Sequence, residues 1–181
     1  MLSFIESAMS QAAHGALPLV IAAHRDGDRF IEWDRLCDAM LSNHVANRAS
    51  RTQGQSLLSA VHRIHGRPEI SSFHVMVRQT KCPCHLAPIF GTIAAHINFG
   101  EQQTARLFLF CVLRGLVSSA VRLGIVGPME AQSMQAKLFP RAEQLAVEAM
   151  PTTPSDAAQT APILDLLQGT QDRLYSRLFQ S

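Results

Sequence analysis

Apolar residues recur at the spacing of an α-helix along most of the chain, and this pattern constrains the fold more than any other feature. Leu2, Ile5 and Met9 share one helix face, and Trp33 to Leu41 repeats the pattern. Alternating runs of β-branched and aromatic residues are nearly absent, whereas the good helix formers Ala, Leu, Gln and Arg dominate. The sequence therefore predicts an all-α fold, a single-domain bundle of about seven to nine helices.

Glycine and proline residues separate the predicted helices. Gly15 and Pro18 are expected to interrupt the chain after the first helix, and Gly54 is expected to bend or split a long helical region. The predicted helices cover residues 2–12, 19–24, 32–64, 70–80, 89–97, 101–123, 130–150 and 161–173.

The length of 181 residues predicts one domain over residues 1–181, because domains usually hold about 100–200 residues. Residues 151–160 are rich in turn formers and predict a linker before the last helix. Residues 174–181 form a tail with the bulky side chains of Tyr175, Leu178 and Phe179. Chain ends fray unless they are docked, so this tail either packs on its own domain or inserts into a partner.

The charge balance argues against a nucleic-acid partner. Lys and Arg number 16 and Asp and Glu number 14, which leaves a net charge of +2, whereas nucleic-acid binders usually carry a basic stripe. Charged residues make up 17% of the chain, below the usual share of about 25%. Such a surface suits either a protein partly covered by a partner or a compact, Ala-rich monomer, and composition does not choose between the two.

The chain start and the longest apolar stretch bear on location. Met1–Glu6 lacks the basic and apolar parts of a secretory signal. Leu107–Val126 contains two arginines, and its residues 107–113 are apolar on every side, so we expect a buried core helix rather than a membrane span. Without an export signal the default is a reducing compartment, where Cys37 and Cys111 are expected to pack as small apolar side chains. We therefore predict a cytoplasmic protein.

No group of residues typical of an enzyme is present in the sequence. The phosphate-binding motif G-x-x-x-x-G-K-[ST], the nucleophile turn G-x-S-x-G and the zinc motif H-E-x-x-H are all missing. Carboxylates are spaced singly, without a pair that suggests acid–base chemistry. The sequence therefore predicts a protein that is not an enzyme.

Cys82, Cys84 and His85 are weak candidates for a metal site. Thiolates and imidazole suit zinc, nickel and copper. All three lie within four residues, however, and the sequence offers no second ligand pair of the kind that structural sites need. We favour a loop at the start of a helix with incidental thiols. His62 and His65 share a helix face, but such a pair is usually solvated.

Arg122 ends the most apolar predicted helix, which also carries Arg106 and Arg114 at intervals of eight residues. In the last turn of a helix the dipole favours a cation. The side chain of Arg122 either extends along the core surface to solvent or lies at an interface, where arginine is enriched. The pattern alone leaves both interpretations open.

Four blocks of residues, in order across nearly the whole chain, form a specific combination. The last seven residues, 175–181, read Y-S-R-L-F-Q-S. Residues 120–132 contain A-V-R-L followed by G-P and Q, residues 85–91 match H-x-A-P-x-F-G, and residues 48–54 contain R-A-S-x-x-Q-G. Together these blocks resemble the urease accessory protein F family.

The resemblance implies an all-helical, non-enzymatic chaperone of urease maturation. Members of the family connect a scaffold, accessory protein D or H, to a GTPase, accessory protein G, and the assembly delivers nickel to apo-urease. Nickel would be handled by the complex, and the chain itself would hold no firm cofactor. The protein would be a homodimer with no nucleic-acid or membrane partner.

The resemblance also implies roles for particular residues. The tail would dock into the scaffold through Tyr175, Arg177, Leu178 and Phe179. Arg122 and Gln132 would lie in the region associated with dimerisation and, through the dimer, with GTPase recruitment. The remaining block would form a structural loop that contains His85, Pro88 and Gly91.

The chain departs from the family pattern at three places. The family usually starts with a further segment that carries a Gly/Ser/His-rich motif, which we expect to be missing here. Cys84 stands where a small residue is more common, and Gln171 where many members have His. Two alternatives therefore stay open. One is direct nickel binding and transfer by Cys82, Cys84 and His85, and the other is a truncated paralogue without maturation activity.

Overall fold

The computed structural model describes residues 1–171 of the chain. Within that range nine α-helices follow one another and no strand occurs, which confirms the predicted all-α domain. The helices are α1 (Leu2–Gln11), α2 (Leu17–Arg25), α3 (Phe30–Met40), α4 (His44–His65), α5 (Pro68–Thr80), α6 (Leu86–His96), α7 (Glu101–Arg122), α8 (Pro128–Ala149) and α9 (Pro162–Gly169).

The first two helices are joined by a single π-helical turn, Ala12–Ala16, so the predicted interruption at Gly15 and Pro18 is wrong. Pro18 lies in the first turn of α2, where a missing backbone N–H costs little. The carbonyl of His14, which an ordinary residue at position 18 would bond in an α-helix, accepts instead from the backbone N–H of Ala158 at 3.0 Å. The segment after α8 thus satisfies the group that the proline leaves unpaired.

The helical region predicted over residues 32–64 is divided in the structure between Met40 and His44. Helix α4 runs unbroken from His44 to His65, so the prediction that Gly54 bends or splits it is also wrong. The side-chain oxygen of Asn43 accepts from the backbone N–H of Val45 and caps the helix start. Gly54 instead permits a close approach between two backbone segments, because a Cβ at this position would lie 2.0 Å from the carbonyl oxygen of Cys84. The glycine therefore allows the loop before α6 to lie directly on α4.

Helix α6 lies at the centre of the fold and starts at Leu86, three residues earlier than predicted. Pro88 and Gly91 consequently lie within the helix rather than in a loop, with Pro88 in the first turn, where proline is well tolerated. A Cβ at Gly91 would lie 2.1 Å from the carbonyl oxygen of Val20, so this glycine brings α6 close to α2. Gly54 and Gly91 together let α6 pack tightly between α4 and α2.

Two hydrophobic clusters meet at α6. The larger one includes Ala87 and draws its other buried side chains from α1, α2, α3, α7 and α8 and from the π-helical turn. The smaller one holds Ile89 and Ile93 beside Phe30 and Phe73, whose rings meet edge to face at 4.9 Å. Burial on both sides explains why α6 carries so few polar residues.

Helix α7 is the one described helix that is long and apolar enough, by length and composition, to cross a membrane. Inside the fold it buries Phe108, Leu109 and Leu113, and Cys37 of α3 is buried as predicted. The predicted core helix is thus confirmed for one face, but Leu107 and Cys111 are exposed, and the prediction that Cys111 packs as a small apolar side chain is wrong. These two residues lie one turn apart, on the face opposite to Leu109.

Candidate partner-binding site

Helices α7 and α8 form an antiparallel hairpin. Arg106, near the start of α7, pairs with Glu143 in the second half of α8 at 3.0 Å. The rings of Phe110 and Phe139 meet edge to face at 6.2 Å between the same two helices. Arg106 is thus paired at the helix end where the dipole disfavours a cation.

Two of the predicted partner residues lie on either side of the turn between α7 and α8. Arg122 lies exposed in the last turn of α7, and Gln132 lies exposed near the start of α8. Between them Leu123, Ile125 and Met129 are 45%, 55% and 83% exposed. We call residues 122–132 the hairpin tip. Three large apolar side chains in solvent beside an arginine are typical of a surface that binds another protein.

Helix α9 exposes a second apolar surface, which the sequence reasoning missed. Ile163, Leu166 and Leu167 are 62% to 73% exposed, and the helix buries none of its residues. Their i, i+3, i+4 spacing places them on one side of the helix, and we call them the α9 apolar face. The signal was present in the sequence, but amphipathic spacing does not say whether the apolar side meets the core or solvent.

Polar contacts hold α9 in place. The side-chain N–H of Asn43 donates to the carbonyl oxygen of Asp165 at 2.7 Å. The side-chain oxygen of Gln11 accepts from the backbone N–H groups of Thr160 and Ala161 at 2.6 and 2.8 Å. These bonds attach α9 to α4 and α1 while leaving its apolar face uncovered by the described part of the chain.

Four predicted partner residues belong to the tail, namely Tyr175, Arg177, Leu178 and Phe179. They lie outside the described residues, as does the end of the predicted final helix, whose described part ends at Gly169. Their proposed role in docking stays a prediction.

The structure places His85 in a buried polar network rather than at an open site. Its ring is fully buried, with Nε2 3.0 Å from Oδ1 of Asp38 and Nδ1 3.1 Å from Oγ of Ser50. Oγ of Ser50 also accepts from the backbone N–H of Leu86 at 3.2 Å, so its hydroxyl is free to donate to Nδ1. His85 Nε2–H then donates to the carboxylate of Asp38.

Asp34 and Asp38, one turn apart on α3, anchor the loop before α6. The fully buried carboxylate of Asp34 accepts from the backbone N–H groups of Cys84 and His85 at 2.8 and 2.7 Å. Hydrogen bonds from Asn47, Arg51 and His85 lower the pKa of Asp38 well below its usual range. We call Asp34, Asp38, Ser50 and His85 the loop clamp, since they join α3, α4 and α6.

The candidate metal ligands are only partly brought together. The sulfurs of Cys82 and Cys84 lie 3.9 Å apart. Both ring nitrogens of His85, however, already have hydrogen-bond partners in Ser50 and Asp38. Among residues 1–171 no group of three His, Cys, Asp or Glu side chains has an arrangement that would hold a metal ion. His62 stacks on His74 at 4.4 Å between ring centroids. These contacts do not favour direct metal transfer.

The described residues define an all-α protein that presents apolar side chains to solvent at the hairpin tip and on α9. The model of the UreF family matches residues 1–139. A urease accessory protein F of Oryza sativa subsp. japonica is 33% identical over 184 residues, which cover 98% of this chain and 69% of the relative. A urease accessory protein F of Arabidopsis thaliana is 34% identical over 169 residues, which cover 91% and 70%.

A more distant relative is an uncharacterized UreF-like urease accessory protein of Schizosaccharomyces pombe, 26% identical over 99% of this chain and 80% of its own length. The family match spans well over half of the chain, and the identities to the plant proteins exceed 30%. The chain belongs to the UreF family, whose relatives here are named urease accessory proteins.

Proposed function

We propose that this chain is a urease maturation factor that acts by binding and not by catalysis. In the urease maturation complex, the chain connects the scaffold, accessory protein D or H, to the GTPase, accessory protein G, on apo-urease in the cytoplasm. Nickel is the cargo of the complex, and the chain supplies binding surfaces. The observation that carries the proposal is the uncovered α9 apolar face in a member of the UreF family.

The α9 apolar face and the tail are proposed to form one docking element for the scaffold. Leu166 and Leu167 are exposed on α9, and the sequence continues to Tyr175, Leu178 and Phe179 within the next dozen residues. Complete burial of each large apolar side chain contributes about 1.5–3 kcal/mol. A few such residues, buried together, supply enough free energy to hold a partner after the cost of association is subtracted.

The hairpin tip is proposed to serve self-association and, through the homodimer, recruitment of the GTPase. Arg122 offers a long side chain with a planar charged group, which is a common centre of binding energy at interfaces. Leu123, Ile125 and Met129 offer the apolar area around it. Gln132 adds a polar group at the edge of the same surface.

Complementation tests the proposed function as a whole. This chain is expressed in a urease-positive cell that lacks its own F-type accessory protein, and urease activity is measured in nickel-supplied medium. Restored activity is expected. Activity that stays at the level of the empty vector, with the chain present as folded protein by immunoblot and circular dichroism, would contradict the maturation role.

Binding assays test the docking element separately. Deletion of residues 174–181, or Leu166→Asp on α9, is expected to weaken pull-down of the D/H scaffold by about tenfold or more. Ile64→Asp is the matched control, since Ile64 on α4 is 75% exposed and lies far along the chain from α9. Equal capture by all variants would rule out the docking element.

A further inference from the structure

Cys82 and Cys84 form a close pair of free thiols in the loop between α5 and α6. Their sulfurs lie 3.9 Å apart, with Pro83 between the two residues. Lys81 and Cys84 both have left-handed backbone conformations, with φ of 51° and 67°. Residues other than glycine seldom adopt this conformation. The loop clamp holds this geometry, because Asp34 accepts from the backbone N–H of Cys84 at 2.8 Å.

The two thiols differ in their access to solvent. Cys82 is partly exposed, whereas Cys84 is 6% exposed. Both line a surface groove of about 310 Å³, together with His74, Arg78 and Lys81. Cys82 is therefore the more accessible residue of the pair, and the sulfur of Cys84 lies 3.9 Å from its sulfur.

The two thiols also differ in acidity. A hydrogen bond from the Cys84 thiol lowers the pKa of Cys82 to about 7, and the Thr80 hydroxyl adds to this effect, while burial and the carboxylate of Asp34 oppose it. The same pairing with Cys82, together with burial, raises the pKa of Cys84. Cys82 is thus the first of the two to ionise as the pH rises through neutral, and Cys84 stays protonated although Arg51 acts on Cys84 in the opposite direction.

We propose that Cys82 and Cys84 are a redox-active dithiol that is oxidised by low-molecular-weight disulfides, with Cys82 as the attacking sulfur and Cys84 as the resolving sulfur. The Cys82 thiolate attacks one sulfur of the small disulfide, so that a mixed disulfide forms and one small thiolate leaves. Cys84 then gives its proton to a departing thiolate and attacks the sulfur of Cys82. The mixed disulfide breaks as the Cys82–Cys84 bond forms, and the second small thiolate leaves. Counted from two protonated thiols, the protein loses two electrons and two protons, one of them when Cys82 ionises, and one small disulfide becomes two small thiols.

The other two cysteines differ from this pair. Burial raises the pKa of Cys37 to about 12, and Cys37 is closed to solvent. Cys111 is exposed, but partial burial of its sulfur raises its pKa. Neither is expected to react first with a small disulfide near neutral pH. This selectivity does not depend on the role proposed for the chain in urease maturation.

Glutathione disulfide is the probe that tests the proposal. The full chain carrying Cys111→Ser is incubated with it, free thiols are blocked with N-ethylmaleimide, and the products are mapped by mass spectrometry of peptides. We expect an intramolecular Cys82–Cys84 disulfide without a lasting glutathione adduct. A further Cys84→Ser change should trap glutathione on Cys82, and Cys82→Ser should abolish both products.

Two results of the glutathione experiment would overturn the proposal. One is a Cys84→Ser protein that carries no glutathione on Cys82. The other is an unsubstituted loop that keeps glutathione on Cys82 without closing the disulfide. Circular dichroism of each variant shows whether it is folded, and alkylation of the parent chain gives an independent reading. At pH 7 Cys82 should react with iodoacetamide about tenfold faster than Cys111, and equal rates would also reject the proposal.

Discussion

Asp34 shows how much one buried carboxylate contributes to this fold. It accepts two backbone N–H groups at the start of α6, and it has no exposure to solvent. Removal of one acceptor leaves a buried donor unpaired, and the desolvation penalty of such a group is about 1–3 kcal/mol. At the residue scale the contribution of Asp34 to the loop clamp therefore comes from satisfied backbone donors.

Asp34→Asn is expected to lower the free energy of unfolding by about 1–3 kcal/mol, because the amide nitrogen of Asn cannot accept from the backbone. Urea denaturation followed by circular dichroism measures this change. Asp28→Asn is the matched control, since Asp28 is exposed just before α3, and it should leave the midpoint nearly unchanged. Equal midpoints for the two variants would exclude the role given to Asp34.

We expect the stability of the fold to depend on pH through the carboxyl group of Asp38. Its pKa is lowered in the folded chain by hydrogen bonds from Asn47 and Arg51, so the charged form stabilises the fold at pH values above the usual carboxyl pKa of about 4. This contribution is lost as the pH falls below about 4 towards the lower folded value.

The comparison of Asp38→Asn with the parent chain tests this prediction. The parent should be more stable than Asp38→Asn at pH 7. The difference between their urea midpoints should shrink as the pH falls from about 5 to about 3, the range around the usual carboxyl pKa. A difference that stays constant across this range would show that the Asp38 charge does not contribute.

At the scale of elements, α6 packs between α2 and α4 because two glycines let backbones touch. The Cβ that Gly54 lacks would lie 2.0 Å from the carbonyl of Cys84, and the one that Gly91 lacks would lie 2.1 Å from the carbonyl of Val20. Backbone atoms cannot move aside as flexible side chains do. These positions favour glycine even though each glycine costs helix stability by about 0.8–1 kcal/mol relative to alanine.

Gly54→Ala is accordingly expected to destabilise the chain by about 1–3 kcal/mol, despite the better helix propensity of alanine. Gly115→Ala on α7 is the matched control, because a Cβ there meets nothing within 4 Å. It should stabilise the chain by up to about 1 kcal/mol. Thermal unfolding measures both changes, and a stabilising Gly54→Ala would show that the contact with Cys84 relaxes easily.

At the scale of the whole molecule, the described chain leaves two apolar surfaces uncovered, the hairpin tip and the α9 apolar face. The low charged fraction of 17% is consistent with surfaces that partners cover. Helix α7 likewise packs one face against the core and exposes the apolar side chain of Leu107 on another face. Exposed apolar surface is thus distributed over helix faces and is not confined to a cleft.

Arg122→Ala is expected to weaken self-association about tenfold and to reduce capture of the GTPase, because an arginine at the centre of an interface typically supplies at least 1–2 kcal/mol. Sedimentation velocity measures the first effect and pull-down the second. Arg114→Ala changes an exposed arginine two turns earlier on the same helix and should leave both unchanged. Equal self-association and equal GTPase capture by the two variants would show that the hairpin tip is not part of the interface.

The sequence by itself determined the helices and most of their ends. The 3.6-residue period, the turn at Gly66 and the Asn98–Gly100 break act within a few residues, so local chemistry suffices to place them. Distant contacts changed some boundaries, as at Pro18, whose missing N–H is compensated by a bond between His14 and Ala158. A local cap at Asn43 divided the region predicted as one helix over residues 32–64.

The tertiary structure alone decided which residues form the loop clamp and which apolar faces stay in solvent. Asp34 meets Cys84 across a separation of 50 residues, and no local pattern marks either residue as a partner of the other. The α9 apolar face has the same spacing as a core face, yet no described helix covers it. Both outcomes depend on which helices become neighbours, and neighbours are set by packing over the whole chain rather than by the residues beside them.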